Sequence, residues 1–137
     1  MSTVTTIAKG NVTAQISSMG AELTSFVVDD REYLWQADPT FWGKHAPVLF
    51  PIVGSIRGGG ATCSEGACRM ERHGLARTAE HAVVGMAEDG SAVTFEYRDT
   101  PRDSQGLPIS LQAQHDLRNH GRCHADTDVH RHQHRRR

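Results

Sequence analysis

Hydrophobic and polar positions alternate in short runs through most of the first hundred residues. Val4 and Thr6, then Val12, Ala14 and Ile16, mark every second position in two runs separated by Lys9-Gly10-Asn11, a hairpin turn sequence. After Ser18-Met19-Gly20 the segment Glu22–Val28 is rich in β-formers, Asp29-Asp30 makes a turn, and Glu32 to Trp35 supplies the answering strand. Residues 79–86 and 91–97 read as another hairpin turned at Glu88-Asp89-Gly90. Val93, Phe95 and Tyr97 lie on one face of it, with Thr94, Glu96 and Arg98 on the other. The pattern predicts an antiparallel meander with one dry face, whose open edge expects a partner strand.

Between the two meanders lies the most apolar run, His45-Ala46-Pro47-Val48-Leu49-Phe50-Pro51-Ile52-Val53-Gly54. Two prolines four residues apart exclude a helix interior, and Pro is unwelcome in a central strand. The run therefore predicts a buried, kinked crossing with a short strand or turn. Before it, Asp38-Pro39-Thr40-Phe41-Trp42-Gly43 predicts a single helical turn capped by Asp38, which would press Phe41 or Trp42 down as a lid. After it come Gly58-Gly59-Gly60 and the basic loop Arg72-His73-Gly74-Leu75-Ala76-Arg77. The glycine loop lacks the lysine and hydroxyl residue of a phosphate loop, and no helix pattern follows it. An apolar floor with aromatics and a few converging polar groups is what a small polar ligand site requires.

Residues 61–70 form a predicted hairpin turning at Ser64-Glu65-Gly66, with Cys63 and Cys68 near its ends. Four residues between the thiols is wider than a zinc knuckle, and no fourth ligand is obvious beside His73, so half-buried structural thiols are expected and no metal.

Composition changes this picture in two ways. The chain has 137 residues and a net charge of −1, which gives no argument for nucleic acid or membrane. No apolar run reaches transmembrane length, the N-terminus lacks the pattern of a secretory signal, and three cysteines make no disulfide framework, so a cytoplasmic setting is expected. The average also hides a break. All eight aromatic residues lie at or before Tyr97, whereas residues 103–137 have none and hold six of the nine histidines.

Five blocks resemble the shorter bacterial branch of the aldose 1-epimerases, or galactose mutarotases. They are Gly20-Ala21-Glu22-Leu23-Thr24-Ser25, Glu32-Tyr33-Leu34-Trp35-Gln36, Asp38-Pro39 with Phe41-Trp42-Gly43, the run from Ala46 to Gly54, and Arg72-His73-Gly74-Leu75-Ala76-Arg77. The resemblance covers residues 3 to about 100 and implies an all-β antiparallel β-sandwich of the galactose mutarotase type. The family fold is roughly twice this length, so the chain reads as its N-terminal part, residues 1–102, followed by a disordered tail, residues 103–137.

The resemblance implies a sugar isomerase acting on a hexose or hexose phosphate without metal or organic cofactor. Interconverting α and β anomers takes a base for the anomeric hydroxyl and an acid for the ring oxygen, facing each other across one sugar. His73 corresponds to the first sugar-contacting histidine of the family. Arg57, Arg72 and Arg77 are candidates for binding hydroxyls or a phosphate, and Trp42 for a sugar platform. Some members carry arginine directly after the glycine matching Gly54, where this chain has Ser55, which weakens Arg57 as a stand-in. The family acid, a second histidine, and base, a glutamate, come from the later half and have no matching position here.

Bland readings stand beside these. Taken without the family, His73 is a loop histidine satisfied by backbone, the tryptophans are core residues, and Arg72 and Arg77 are surface charges. His45 and His81 show no constellation, and Glu22, Glu32, Glu71 and Glu96 read as solvent-face or turn carboxylates. A non-catalytic carbohydrate-binding sandwich fits the same residues.

The tail shows no strand alternation and cannot bury enough apolar surface to order itself. His124, His130, His132 and His134 suit transition-metal capture, and the arginines nucleic acid, but the spacing fits no defined motif. A second origin accounts for more. Gly106-Leu107-Pro108-Ile109-Ser110-Leu111 has an encoding that, read one base later, gives Ala-Tyr-Pro-Phe-Arg-Phe, which resembles the family strand expected soon after Tyr97. The tail then reads as out-of-frame sequence. A half-sandwich exposes apolar surface and sheet edges, so self-association is expected.

Overall fold

Alternation and turn chemistry build two four-stranded antiparallel sheets and a small hairpin. The structure is a computed structural model and describes residues 2–100, 110–121 and, for the backbone, 125–134. The first sheet has the order β1-β2-β3-β4, from Val4–Lys9, Val12–Ser17, Glu22–Val28 and Arg31–Glu32. Its first turn is at Gly10 and Asn11, and Lys9 pairs with Val12. The small hairpin joins β5, Ala61–Cys63, to β6, Gly66–Cys68. The second sheet has the order β10-β9-β8-β7, from Ala82–Met86 (β7), Ala92–Arg98 (β8), Ser110–Asn119 (β9) and Ala125–His134 (β10).

The two sheets pack face to face, as the alternation requires. Ile7, Ala14, Ile16 and, from the β2–β3 connection, Ala21 of the first sheet meet Val93, Phe95 and Leu117 of the second. Each large apolar side chain buried this way contributes about 1.5–3 kcal/mol. Polar ties fix the layers at one edge: Asn119 Nδ2 donates to the Val12 carbonyl at 2.9 Å, and Lys9 Nζ meets Asp89 at 3.2 Å.

The partner strand expected at the open edge of β8 is β9, which pairs with it from Ala92↔Arg118 to Arg98↔Gln112. Order therefore extends past residue 102, into the stretch where composition predicts none. Leu111, Ala113 and Leu117 recur at even spacing and are buried, which is enough to hold a strand against an existing sheet. The metal and nucleic-acid readings of the tail rest on side chains outside the described residues, as does the start of the hexapeptide at 106–109.

Two expectations about single residues need correcting. The turn at Asp38 forms: the Phe41 and Trp42 amides donate to the Asp38 carbonyl at 3.1 and 2.9 Å, and the Thr40 amide to Asp38 Oδ1 at 2.8 Å. It does not press its aromatics into the core, because Phe41 is 80% and Trp42 55% exposed. Trp35 Nε1 donates to the Trp42 carbonyl at 2.8 Å and its ring meets Phe41 edge-on, so the aromatics make a surface cluster of their own. Glu96, read as a solvent-face carboxylate, is buried and accepts hydrogen bonds from Arg98, Gln112 and Gln114.

Candidate functional site

Segments far apart in sequence meet at one place because three backbone links draw them together. Gly20 donates to the Ala79 carbonyl at 2.8 Å and accepts from the Val48 amide at 3.1 Å, and Phe50 bridges Gly74 in parallel. Two glycines make this possible. A Cβ on Gly20 would lie 2.7 Å from the Arg77 carbonyl oxygen, and one on Gly74 only 2.3 Å from that of Phe50. Both also have positive φ, +71° and +77°, which L side chains rarely adopt. Beneath the junction Phe50, Cys68, Ala76, Tyr97, Leu111 and Ala113 form a second buried cluster.

The run from 47 to 54 crosses this cluster but is not buried as the sequence predicts: Phe50 alone is buried, Val53 is 74% exposed and the others are half-buried. At its end, Gly54 and His73 hold each other. The Gly54 amide donates to His73 Nδ1 at 3.0 Å, and the His73 amide donates to the Gly54 carbonyl at 2.7 Å. Arg72 Nε lies 3.1 Å from His73 Nε2. Both neighbours are donors, whereas a neutral imidazole has one acceptor nitrogen. The Gly54 amide at Nδ1 and the Arg72 guanidinium at Nε2 therefore draw on the same single lone pair of the His73 ring.

Above the run opens a cavity of about 590 Å³ lined by Trp42, Lys44, His45, Ala46, Pro47, Leu49, Arg72, His73 and Arg77. The structure thus brings together Trp42, Arg72, His73 and Arg77 from the sequence-based candidates. Arg57 is elsewhere, exposed on a 3₁₀ turn spanning Arg57–Gly59. Lys44 and His45 join the lining, although sequence reading gave them no role. Their only sequence signal is position, between Trp42 and Pro47.

All five titratable side chains of the lining are basic, and no carboxylate is among them. Glu22 lies beside His45; burial raises its carboxyl above the ordinary 4.5 against the pull of that imidazole. Arg77 Nε and His45 Nε2 are buried without a hydrogen-bond partner. With Trp42 as apolar wall, the cavity can hold a small polyhydroxy ligand by its acceptor oxygens. Among the described residues of the lining there is no carboxylate to pair with a histidine across that ligand.

The sequence profile of the aldose 1-epimerase family matches residues 2–129. Protein LacX of Lactococcus lactis subsp. lactis, in its plasmid form, is 39% identical over an alignment of 93 positions that covers 64% of this chain and 30% of LacX. A galactose mutarotase related enzyme from Lactobacillus acidophilus superposes with a TM-score of 0.79 at 30% identity, over 87% of this chain and 40% of that one. A galactose mutarotase-like protein from Lactobacillus casei gives 0.77 at 31% identity, over 85% and 40%. A putative aldose 1-epimerase from Escherichia coli K12, at 15% identity and a TM-score of 0.65, shares the fold. The chain thus spans less than half the length of each of these relatives, and the described strands form part of a galactose mutarotase-like sandwich. With a profile match over nearly its whole length, this chain belongs to the aldose 1-epimerase family.

Proposed function

We propose that this chain is the sugar-binding N-terminal part of an isomerase that interconverts the α and β anomers of a hexose, free or phosphorylated, and that it binds the sugar but exchanges its anomers little or not at all. The Gly54–His73 clamp carries the reading, since it pins the histidine ring beside an aromatic wall in a cavity that a small ligand can enter. The weak-activity half rests on the absence of any carboxylate from the lining among the described residues. Polarimetry on freshly dissolved glucose or galactose tests it: the expected mutarotation rate equals that of buffer, and an acceleration abolished by His73→Ala overturns it. The non-catalytic carbohydrate-binding reading is favoured by the same donor-only lining; it is distinguished by a longer homologous coding frame, which the isomerase reading requires. A cytoplasmic setting accords with the sparse cysteines, and no helix among the described residues is long and apolar enough to cross a membrane.

We propose further that a shifted reading frame shaped the composition of the tail, against which stand the profile match to residue 129 and the pairing of β9 in the frame as read. His and Asp codons both have A in second place and C or T in third, so reading them from the second base gives Thr, Ile or Met under any codon choice. His124, Asp126, Asp128, His130, His132 and His134 then become β-formers at every second position, with codons available that put Leu, Leu and Phe at the first three places between them. Strict alternation hidden under a charged, aromatic-free tail is what a displaced strand leaves behind. Sequencing the coding DNA across codons 98–112 decides the matter. A single intact frame there, with no shifted homologous reading, removes the truncation from this proposal.

A further inference from the structure

We infer that Cys63 and Cys68 form a peroxide-sensitive dithiol, a modification site at which a hydroperoxide converts the two thiols to a disulfide across the β5–β6 hairpin. Both are free thiols in the structure. Ala61 pairs with Cys68 and Cys63 with Gly66, so the two cysteines are diagonal neighbours on one face of the hairpin. Their sulfurs converge on one atom: Cys63 Sγ donates to the Gly66 carbonyl at 3.3 Å, and Cys68 Sγ lies 3.9 Å from the same oxygen. Diagonal neighbours stand about 7–8 Å apart at Cα, just beyond the ordinary reach of a disulfide, so closing the bond draws β5 toward β6. The strand can follow, because its Ala61 and Thr62 are exposed and Gly58 and Gly59 before it have open space around them.

The two thiols are not equivalent. Cys68 is buried within the cluster of Phe50, Ala76, Tyr97, Leu111 and Ala113, whereas Cys63 is half-buried at the turn, where solvent reaches it. A hydrogen bond between the thiols is the largest influence on both, lowering Cys63 below the ordinary 9.0 and raising Cys68 above it. Backbone hydrogen bonds at Glu65 and Gly66 lower Cys63 further. The thiolate is the reactive form, so Cys63 attacks first and Cys68 resolves. The Cys63 thiolate displaces hydroxide from the peroxide: an S–O bond forms, the O–O bond breaks, and the sulfur is oxidised to a sulfenic acid. Cys68 then attacks that sulfur. The S–S bond forms, the S–O bond breaks, and the departing hydroxide takes the Cys68 proton to become water. With hydrogen peroxide as oxidant, two thiols and one peroxide give one disulfide and two waters.

Trypsin cuts after Arg57 and Arg69 and so leaves both cysteines in one peptide, residues 58–69, apart from Cys123. The test exposes the reduced full chain to hydrogen peroxide, quenches in acid, alkylates, digests and reads that peptide by mass spectrometry. It is expected two hydrogens lighter and without alkylating label, and dithiothreitol should restore both labelling sites. In Cys68→Ser, Cys63 should accumulate a sulfenic acid that dimedone traps, and in Cys63→Ser the remaining Cys68 should react at least about tenfold more slowly. Disulfide formation should also be at least about threefold faster in the folded chain than in the urea-unfolded one, which keeps the test sharp if a variant fails to fold. A peptide that keeps both thiols, carries sulfinic acid, or is cross-linked to Cys123 or to a second chain overturns the inference. Equal rates in the folded and unfolded chain overturn it as well, and a Cys68 that reacts first overturns the assignment of roles.

Discussion

Gly54 and His73 bond to each other twice, amide to ring nitrogen at 3.0 Å and amide to carbonyl at 2.7 Å, although nineteen residues separate them. His73 also sits at φ +72°, a left-handed conformation that asparagine tolerates better than most residues. On the proposed reading its ring has two separable duties, to brace the Pro47–Gly54 crossing through Nδ1 and to meet a ligand on the side where Arg72 now bonds Nε2.

Asparagine should separate those duties, since its side-chain oxygen can accept from the Gly54 amide while offering nothing at the Nε2 position. His73→Asn is expected to unfold in urea within about 0.5 kcal/mol of the parent, and His73→Ala to lose about 1–2 kcal/mol. Both variants should bind sugar at least about tenfold more weakly. Retained affinity in His73→Asn would take the imidazole out of the binding site.

Gly74 is the position least able to accept a side chain. A Cβ there meets the Phe50 carbonyl oxygen at 2.3 Å and its carbon at 2.7 Å, both backbone atoms that cannot swing away. Gly74→Ala should cost at least about 2 kcal/mol and disrupt the Phe50 bridge, whereas Gly58→Ala, with open space around its Cβ, should cost only about 1 kcal/mol for its left-handed φ. Chemical denaturation of the pair checks the contrast.

Acid should act on the fold in two windows. Burial holds the His81 imidazole below its ordinary 6.5, so the unfolded chain takes up a proton that the folded chain refuses; stability is full above about 6.5 and declines as pH falls below it. Hydrogen bonds from Ser91, aided by Lys9, pull the Asp89 carboxyl from 3.8 down to about 2. Its contribution is present above pH 3.8 and is lost as pH falls toward 2. Carbon-detected titration of the Asp89 carboxyl should give a midpoint near 2, and Lys9→Met should raise it. Glu96, held low chiefly by Arg98, shares the lower window, so Asp89→Asn should flatten the acid limb without abolishing it.

Strand β7 is an edge that carries Val83, Val84 and Met86 exposed, an arrangement that invites pairing with another chain. Sedimentation should show association that rises with concentration, and Val84→Lys should suppress it. A parent chain that stays monomeric at all concentrations would contradict the expectation.

Much of the fold was legible in the sequence because hairpins are local. Gly10-Asn11, Asp29-Asp30 and Glu88-Asp89-Gly90 announce turns, and Val93, Phe95 and Tyr97 announce a dry face before any partner is known. β9 was missed because Leu111, Ala113 and Leu117 are diluted by polar neighbours, and only the waiting edge of β8 makes them sufficient. Family motifs singled out His73, Arg72, Arg77 and Trp42, which the structure brings to one cavity. Lys44 and His45 escaped because their meaning arises from convergence: nothing local reveals that the 72–77 loop lies across the cavity from them. Arg57 is near the motif in sequence but, on its exposed turn, is not among the residues that line the cavity.

The sugar site itself is tested most directly by amide chemical-shift mapping on the full chain while glucose and glucose 6-phosphate are added in turn. The expected shifts concentrate at Gly54, His73, Trp42 and His45 and saturate with the sugar. Saturable shifts confined to the β5–β6 hairpin or the outer face of β7, or a folded spectrum that no sugar perturbs, would place the ligand elsewhere or nowhere.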